Sequence, residues 1–378
     1  MDFAEYPVDG GEFPRAAPEA VGLDPVAVRD AVAFTEGRTT RSIRIYRHGY
    51  LVAAGDRDAV RAHGVRPVWS ASKSVLAMVT GRAAALGLLE LDDPIGRYVT
   101  AADARHRDIT VRHLLNQSSG LAFRTLRELA VPVYDQVGLA LTAEPKHAPG
   151  TYFEYAQAPL SLLGHVISRA AGMDSVEFAQ RELFTPLGIE PKQWWVAKDR
   201  AGHPYWAGLV FLSAHNLARL GHVLLREGQW GERELLTADF VRQARTPAPT
   251  NPGYGFLLWL NAATDTITCR APIRSILDRP VIASAPADTY LFSGMFDQIV
   301  AIIPSLDMVI VRTGQVPNRT LDITGAMSVI TAEWAHEFCR RLFTGCADPA
   351  APADPGPFRS DGLRPLLRGA TVRTAIAG

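Results

Sequence analysis

Residues 75–88 constrain this chain most. Val75, Leu76, Met78, Val79, Ala83, Ala84, Leu86 and Leu88 recur at helical spacing, but they cover most of the helix circumference instead of one stripe. A helix apolar on most faces has no side to offer water, so other elements must enclose it. The chain can supply them: it has 378 residues, 47% of them hydrophobic, enough apolar material for a large core and for two or three domain-sized units.

The elements around that helix follow from changes of period. Residues 42–56 (SIRIYRHGYLVAAGD) alternate apolar and polar about His48-Gly49 and predict a β-hairpin, preceded by a helix over 24–37. Further helices are predicted over 109–120, 159–172 (stopping at Gly172), 176–188 and from Ser213, a plausible N-cap. Strands are predicted over 253–261, 298–304 and 307–313, the last two joined by a tight turn at Pro304–Asp307, and an amphipathic helix over 324–343. This order predicts an α+β fold: an antiparallel sheet flanked by helices in an α/β sandwich, interrupted by an inserted all-helical domain. The expected boundaries are 1–65 with 201–345 for the sheet domain and 66–200 for the helical one. Residues 346–378 begin Pro/Ala-rich and are expected to form an extended or loosely attached tail. A site would fall in the cleft between the two parts.

Charge narrows the partners. Lys plus Arg is 39 and Asp plus Glu is 39, so nothing asks for nucleic acid or an anionic membrane. The acidic first residues hold no apolar leader core, no apolar run reaches spanning length, and Cys269, Cys339 and Cys346 show no metal or redox spacing. The expectation is free thiols in a reducing, cytoplasmic setting, with oligomeric state left open. No Gly-x-Ser-x-Gly elbow, zinc-hydrolase histidine pattern or dinucleotide-binding glycine motif occurs, so neither cofactor nor metal is expected. Only four of the basic residues are lysines: Lys73, Lys146, Lys192 and Lys198. Arginine cannot give up its proton and lysine can, so a lysine here carries information.

Three segments could carry chemistry. Ser70-Ala-Ser-Lys73 heads the enclosed helix. At i, i+3 the hydroxyl and the amine share a face, free helix N–H groups favour an oxyanion, and burial would lower the lysine pKa until it could take the serine proton. Alone, the pair fits equally a capping serine followed by a snorkelling lysine. In Pro149-Gly-Thr-Tyr-Phe-Glu-Tyr155-Ala-Gln157 a turn delivers a phenol for proton transfer and an amide to bond a substrate, although an isolated tyrosine more commonly packs under a loop. Phe292-Ser293-Gly294-Met295 precedes the strand at 298, where a glycine permits close approach of a ligand; a plain strand entry is the other reading.

Taken together, in this order, the segments resemble the serine β-lactamase and penicillin-binding-protein superfamily, most closely its class C β-lactamase-like branch of esterases, D-amino-acid peptidases and oligomer-amide hydrolases. Residues 109–121 (ITVRHLLNQSSGL) and 162–189 resemble that family's connecting segments, and the likeness covers roughly residues 15–345. The resemblance implies Ser70 as nucleophile, Lys73 and Tyr155 sharing the proton work, backbone N–H groups of Ser70 and Met295 as oxyanion hole, and Gln157 and Ser293 positioning substrate. Two departures stand out. Gln157 replaces a common asparagine, and its longer amide could shift the site. Phe292 stands where many members carry a cation that binds a substrate carboxylate. Hydrolysis of a less charged small-molecule ester or amide is therefore expected ahead of β-lactamase or peptidase activity. A transacylase or peptide cyclase, and a binding module with a decayed site, remain alternatives. Arg312-Thr313-Gly314 resembles the family's Lys-Thr-Gly only superficially, because it ends the second strand of its pair.

Overall fold

The computed structural model describes residues 5–7, 9–36, 39–122, 135–261, 264–268, 275–315 and 333–359, with the backbone of 363–365. In chain order, helix α1 (Pro25–Glu36) leads into strands β1 (Thr40–Arg47) and β2 (Tyr50–Ala54), joined at His48-Gly49, where both residues have positive φ. A short strand β3 (Arg66–Pro67) precedes helix α2 (Ser72–Ala85). Helices α3 (Val111–Leu115) and α4 (Ala158–Ala171) follow, then short strands β4 (Trp195–Val196) and β5 (Val210–Leu212) and helix α5 (Ala214–Leu225). The chain ends its described fold with β6 (Trp259–Leu260), β7 (Tyr290–Gly294), β8 (Gln298–Ile303), β9 (Met308–Gly314) and helix α6 (Glu333–Leu342).

The main sheet is antiparallel in the order β2-β1-β9-β8-β7-β6, so the first hairpin closes onto a strand encoded more than 260 residues later. Both faces are covered. Arg44 and Tyr46, paired with Val311 and Val309, meet His215 and His222 of α5. Arg312, paired with Ile43 on the other face, sets its guanidinium over the ring of Trp334 in α6. Double coverage explains why β8 and β9 read as continuous apolar runs. A β-carbon on Gly221 of α5 would lie 2.9 Å from Val300 and Val309, so the helix rides directly on the strands.

Helix α2 is buried along nearly its whole length, as its composition requires. It packs against α4, and its Gly81 sits on the ring of Phe240. Strands β3, β5 and β4 form a small second sheet, so the 66–200 stretch is not purely helical at its ends. Helix α5 has the predicted cap, Ser213 accepting the Asn216 N–H at 3.1 Å, and α4 stops at Gly172, whose φ is 67°.

Three expectations need correction. The strand expected over 253–261 shrinks to Trp259–Leu260: Leu257 has φ 53°, and Gly255 is pressed against the Ala244 carbonyl, so the chain turns where it should extend. The helix expected over 109–120 is only Val111–Leu115, a Thr110–His113 capping box starting it and Gln117, at φ 54°, following its end. Residues 290–294, read as the approach to a strand, are themselves strand β7. The predicted last helix is described over 333–342, and its earlier part lies outside the described residues. The described part of the tail is extended yet attached: Asp348 pairs with Arg47, Asp354 with Arg340 at 2.8 Å, and the Phe358 N–H donates to Glu337 at 2.9 Å.

Candidate active site

The Ser70 turn is made by β3 and a short 3-10 turn, Trp69–Ala71, that runs straight into α2. The Val68 N–H bonds the Val210 carbonyl and anchors the entry on β5. Trp69 has φ 51°, a backbone state that costs a non-glycine residue energy and persists only where its surroundings enforce it. Its ring meets Phe296 edge-on at 5.4 Å, and Phe296 itself has φ 59° in the β7–β8 turn.

One turn into the helix, Lys73 is buried with its Nζ 3.3 Å from Ser70 Oγ, 2.7 Å from Gln157 Oε1 and 2.6 Å from the Ala207 carbonyl oxygen. The same nitrogen lies 4.7 Å from the centre of the Tyr155 ring. Tyr155 in turn stacks on Trp259 at 5.6 Å and meets Tyr254 edge-on at 6.1 Å, which fixes the phenol from the sheet side. Ser70, Lys73, Tyr155 and Gln157 thus come together from positions up to 87 residues apart. The additional methylene of Gln157 is absorbed: its amide oxygen still reaches the lysine. The Ala207 carbonyl carries no sequence signal and was not anticipated.

Strand β7 closes the other side. Gly294 pairs with Gln298, and a β-carbon there would lie under 3.0 Å from the Val68 carbonyl oxygen and 3.1 Å from the Ala71 nitrogen. The strand end therefore touches the Ser70 turn, and Met295 begins the tight turn just beyond it. Ser293 is buried beside Gly294. Phe292 corrects the expectation: grouped with substrate-contacting residues on sequence, it has 0% exposure and offers a ligand no surface. Arg312-Thr313-Gly314 lies on β9, separated from β7 by β8; Arg312 bonds Thr40 Oγ1 at 2.9 Å and pairs with Asp297 at 3.1 Å.

Among the described residues, Glu12, His63 and His215 hold ligand atoms within 4.8 Å of one another. Guanidinium groups of Arg44 and Arg219 lie 3.2 and 2.6 Å from the two ring nitrogens of His215, so a cation there would face two fixed positive charges. The cluster is better suited to anchoring Glu12 and the N-terminal segment, whose Gly10 and Gly11 carbonyls also bond Arg219.

Residues 29–323 match the family described as Beta-lactamase. The chain belongs to the Beta-lactamase family. It is 31% identical over 209 residues to esterase EstB of Burkholderia gladioli (46% of this chain, 53% of the relative). It is 30% identical over 148 residues to the ML-236A carboxylate methylbutanoyltransferase of Penicillium citrinum (32% of this chain, 35% of the relative). The aligned part thus spans about half or less of the length of these curated relatives. The fold agrees with that of a Bacteroides dorei protein described as a β-lactamase, at a TM-score of 0.64 and 18% identity over 85% of this chain and 99% of that one. This Beta-lactamase family chain has, among its described residues, no helix long and apolar enough to cross a membrane.

Proposed function

We propose that this chain is a cofactor-free serine hydrolase that cleaves a small-molecule ester or amide through an acyl-Ser70 intermediate. The observation that carries the reading is Lys73 Nζ, buried at the head of α2, 3.3 Å from Ser70 Oγ. The two carbonyl oxygens at 2.7 and 2.6 Å accept two N–H bonds from the lysine. In the amine form this leaves its lone pair for the third direction, toward the serine O–H. Ser70 then attacks the acyl carbon as its proton passes to Lys73. Tyr155, against the lysine, relays that proton to the leaving group and later helps activate water. The Ser70 and Met295 N–H groups receive the oxyanion, a role supported by the close approach of Gly294 to the Ser70 turn. The site lies where a sheet domain (1–65 and 201–345) meets a helical insertion (66–200).

Similarity to an esterase supports water as acceptor; similarity to an acyltransferase keeps transfer to an alcohol or amine as a second reading. The free thiols of Cys339 and Cys346 support a reducing, cytoplasmic location. The test is hydrolysis of p-nitrophenyl acetate with mass spectrometry after a fluorophosphonate probe. Turnover and a Ser70 adduct are expected, both lost in Ser70→Ala; full turnover in that variant would end the assignment.

A further inference from the structure

We infer that Gln117 is a positioning residue that holds Tyr155 and Gln157 in register with Lys73; the inference rests on the reading of Ser70 and Lys73 above. Gln117 is buried, follows α3, and has φ 54°. Its side-chain amide treats Ala156 as a strand partner would. Oε1 accepts the Ala156 N–H at 3.1 Å and Nε2 donates to the Ala156 carbonyl at 3.2 Å. Its backbone carbonyl accepts the Glu154 N–H at 2.8 Å. Ala156 lies between the two residues that face Lys73, so the clamp fixes both peptides, 155–156 and 156–157, whose rotation would swing Tyr155 and Gln157 apart. The clamp is itself tied to the lysine helix. Ser74, next to Lys73, donates to the Leu257 carbonyl at 2.7 Å, and the Leu257 N–H donates to the Leu115 carbonyl of α3 at 2.9 Å. The two halves of the site are thus referenced to each other through Leu257 and Gln117. A primary amide offers a donor and an acceptor side by side at every pH, which a carboxyl does only when protonated, and asparagine is one methylene shorter.

The test compares Gln117→Leu and Gln117→Glu with wild type on p-nitrophenyl acetate, active sites being titrated with a fluorophosphonate so that rates refer to folded enzyme. The leucine variant should lose on the order of 100-fold in kcat, the cost of misplacing a proton-transfer group by about 1 Å, with KM within threefold. Gln117→Glu separates positioning from packing. A protonated carboxyl can accept from and donate to Ala156, whereas an ionised one turns a second bare oxygen toward the Ala156 carbonyl. The ratio of its kcat to wild type should therefore fall at least tenfold from pH 5 to pH 9. A flat ratio overturns the clamp even if the leucine variant fails to fold. Ser70→Ala distinguishes the two failures: if it keeps turnover, the acyl-serine reading falls and the clamp with it; if it is dead while the Gln117→Glu ratio is flat, only the clamp falls.

Discussion

Gly294→Ala should disable the site by a steric route that can be worked out atom by atom. The new β-carbon would stand under 3.0 Å from the Val68 carbonyl oxygen and 3.1 Å from the Ala71 nitrogen, against 3.4–4 Å for ordinary contact. Both neighbours are backbone of the Ser70 turn, so no side chain can rotate away. Strand β7 must retreat from that turn by about 1 Å, carrying the Met295 N–H with it. Overpacking of this kind costs about 1–3 kcal/mol of stability. An oxyanion donor moved out of reach costs on the order of 100-fold in kcat, or about 2.7 kcal/mol of barrier. Gly221→Ala provides the contrast, because its β-carbon would meet Val300 and Val309 at 2.9 Å, within the α5–sheet packing. It should lower the denaturation midpoint while leaving kcat per titrated active site within twofold. The assay is p-nitrophenyl acetate hydrolysis with urea unfolding of both variants. A Gly294→Ala enzyme with kcat within threefold of wild type would refute the placement of β7 against the Ser70 turn as a catalytic requirement.

Gln157→Leu removes an acceptor 2.7 Å from Lys73 Nζ and should cut kcat by about 10- to 100-fold in the same assay. His222 predicts an acid instability. Burial pushes its ring down to about 4, and its Nε2 has no hydrogen-bond partner among the described residues. A base whose folded pKa is depressed favours folding above its unfolded pKa near 6.5 and loses that contribution as pH falls from there toward 4. The chain should thus be about 2 kcal/mol less stable at pH 5 than at pH 7 from this group, a difference that His222→Leu should remove in urea titrations. Asp58→Ala leaves Arg44, which is 1% exposed, without the carboxylate that bonds it at 2.7 to 3.1 Å. Glu12 still reaches that guanidinium, so the cost should sit near the low end for a broken buried pair, about 3 kcal/mol by urea denaturation.

What the sequence disclosed follows the range of the interactions involved. The helical spacing of Ser70 and Lys73 fixes their relation locally, and the structure keeps it. The β1–β2 hairpin, β8, β9 and the caps of α4 and α5 carry their own turn and cap residues and were legible for the same reason. Strand β7 was not: Tyr290–Gly294 is buried on both faces, so it lacks alternation, and the turn after it is Met295-Phe296-Asp297, without a glycine or proline to mark it. Gln157 was read as a possible displacement of the site, because the sequence cannot show how far its backbone stands from Lys73. Gln117 carries no signal, since a glutamine that clamps a backbone looks like any other glutamine in a polar turn.

Five of the nine described non-glycine residues with positive φ are grouped around Ser70 and Lys73. Trp69 precedes Ser70, Phe296 and Asp297 form the turn after Gly294, and Gln117 and Leu257 tie the tyrosine loop to α2. Each such conformation costs on the order of 1 kcal/mol or more and is tolerated only where packing over-determines it. The enforcing contacts are the Trp69–Phe296 ring pair, the Gly294 approach to Val68, and the Gln117 bonds to Ala156. At Trp69, Phe296 and Gln117 glycine would relieve the strain but would remove the side chain that does the enforcing. The strained turns and the contacts that hold them are therefore one device, and it fixes the serine, the lysine and the phenol before a substrate arrives.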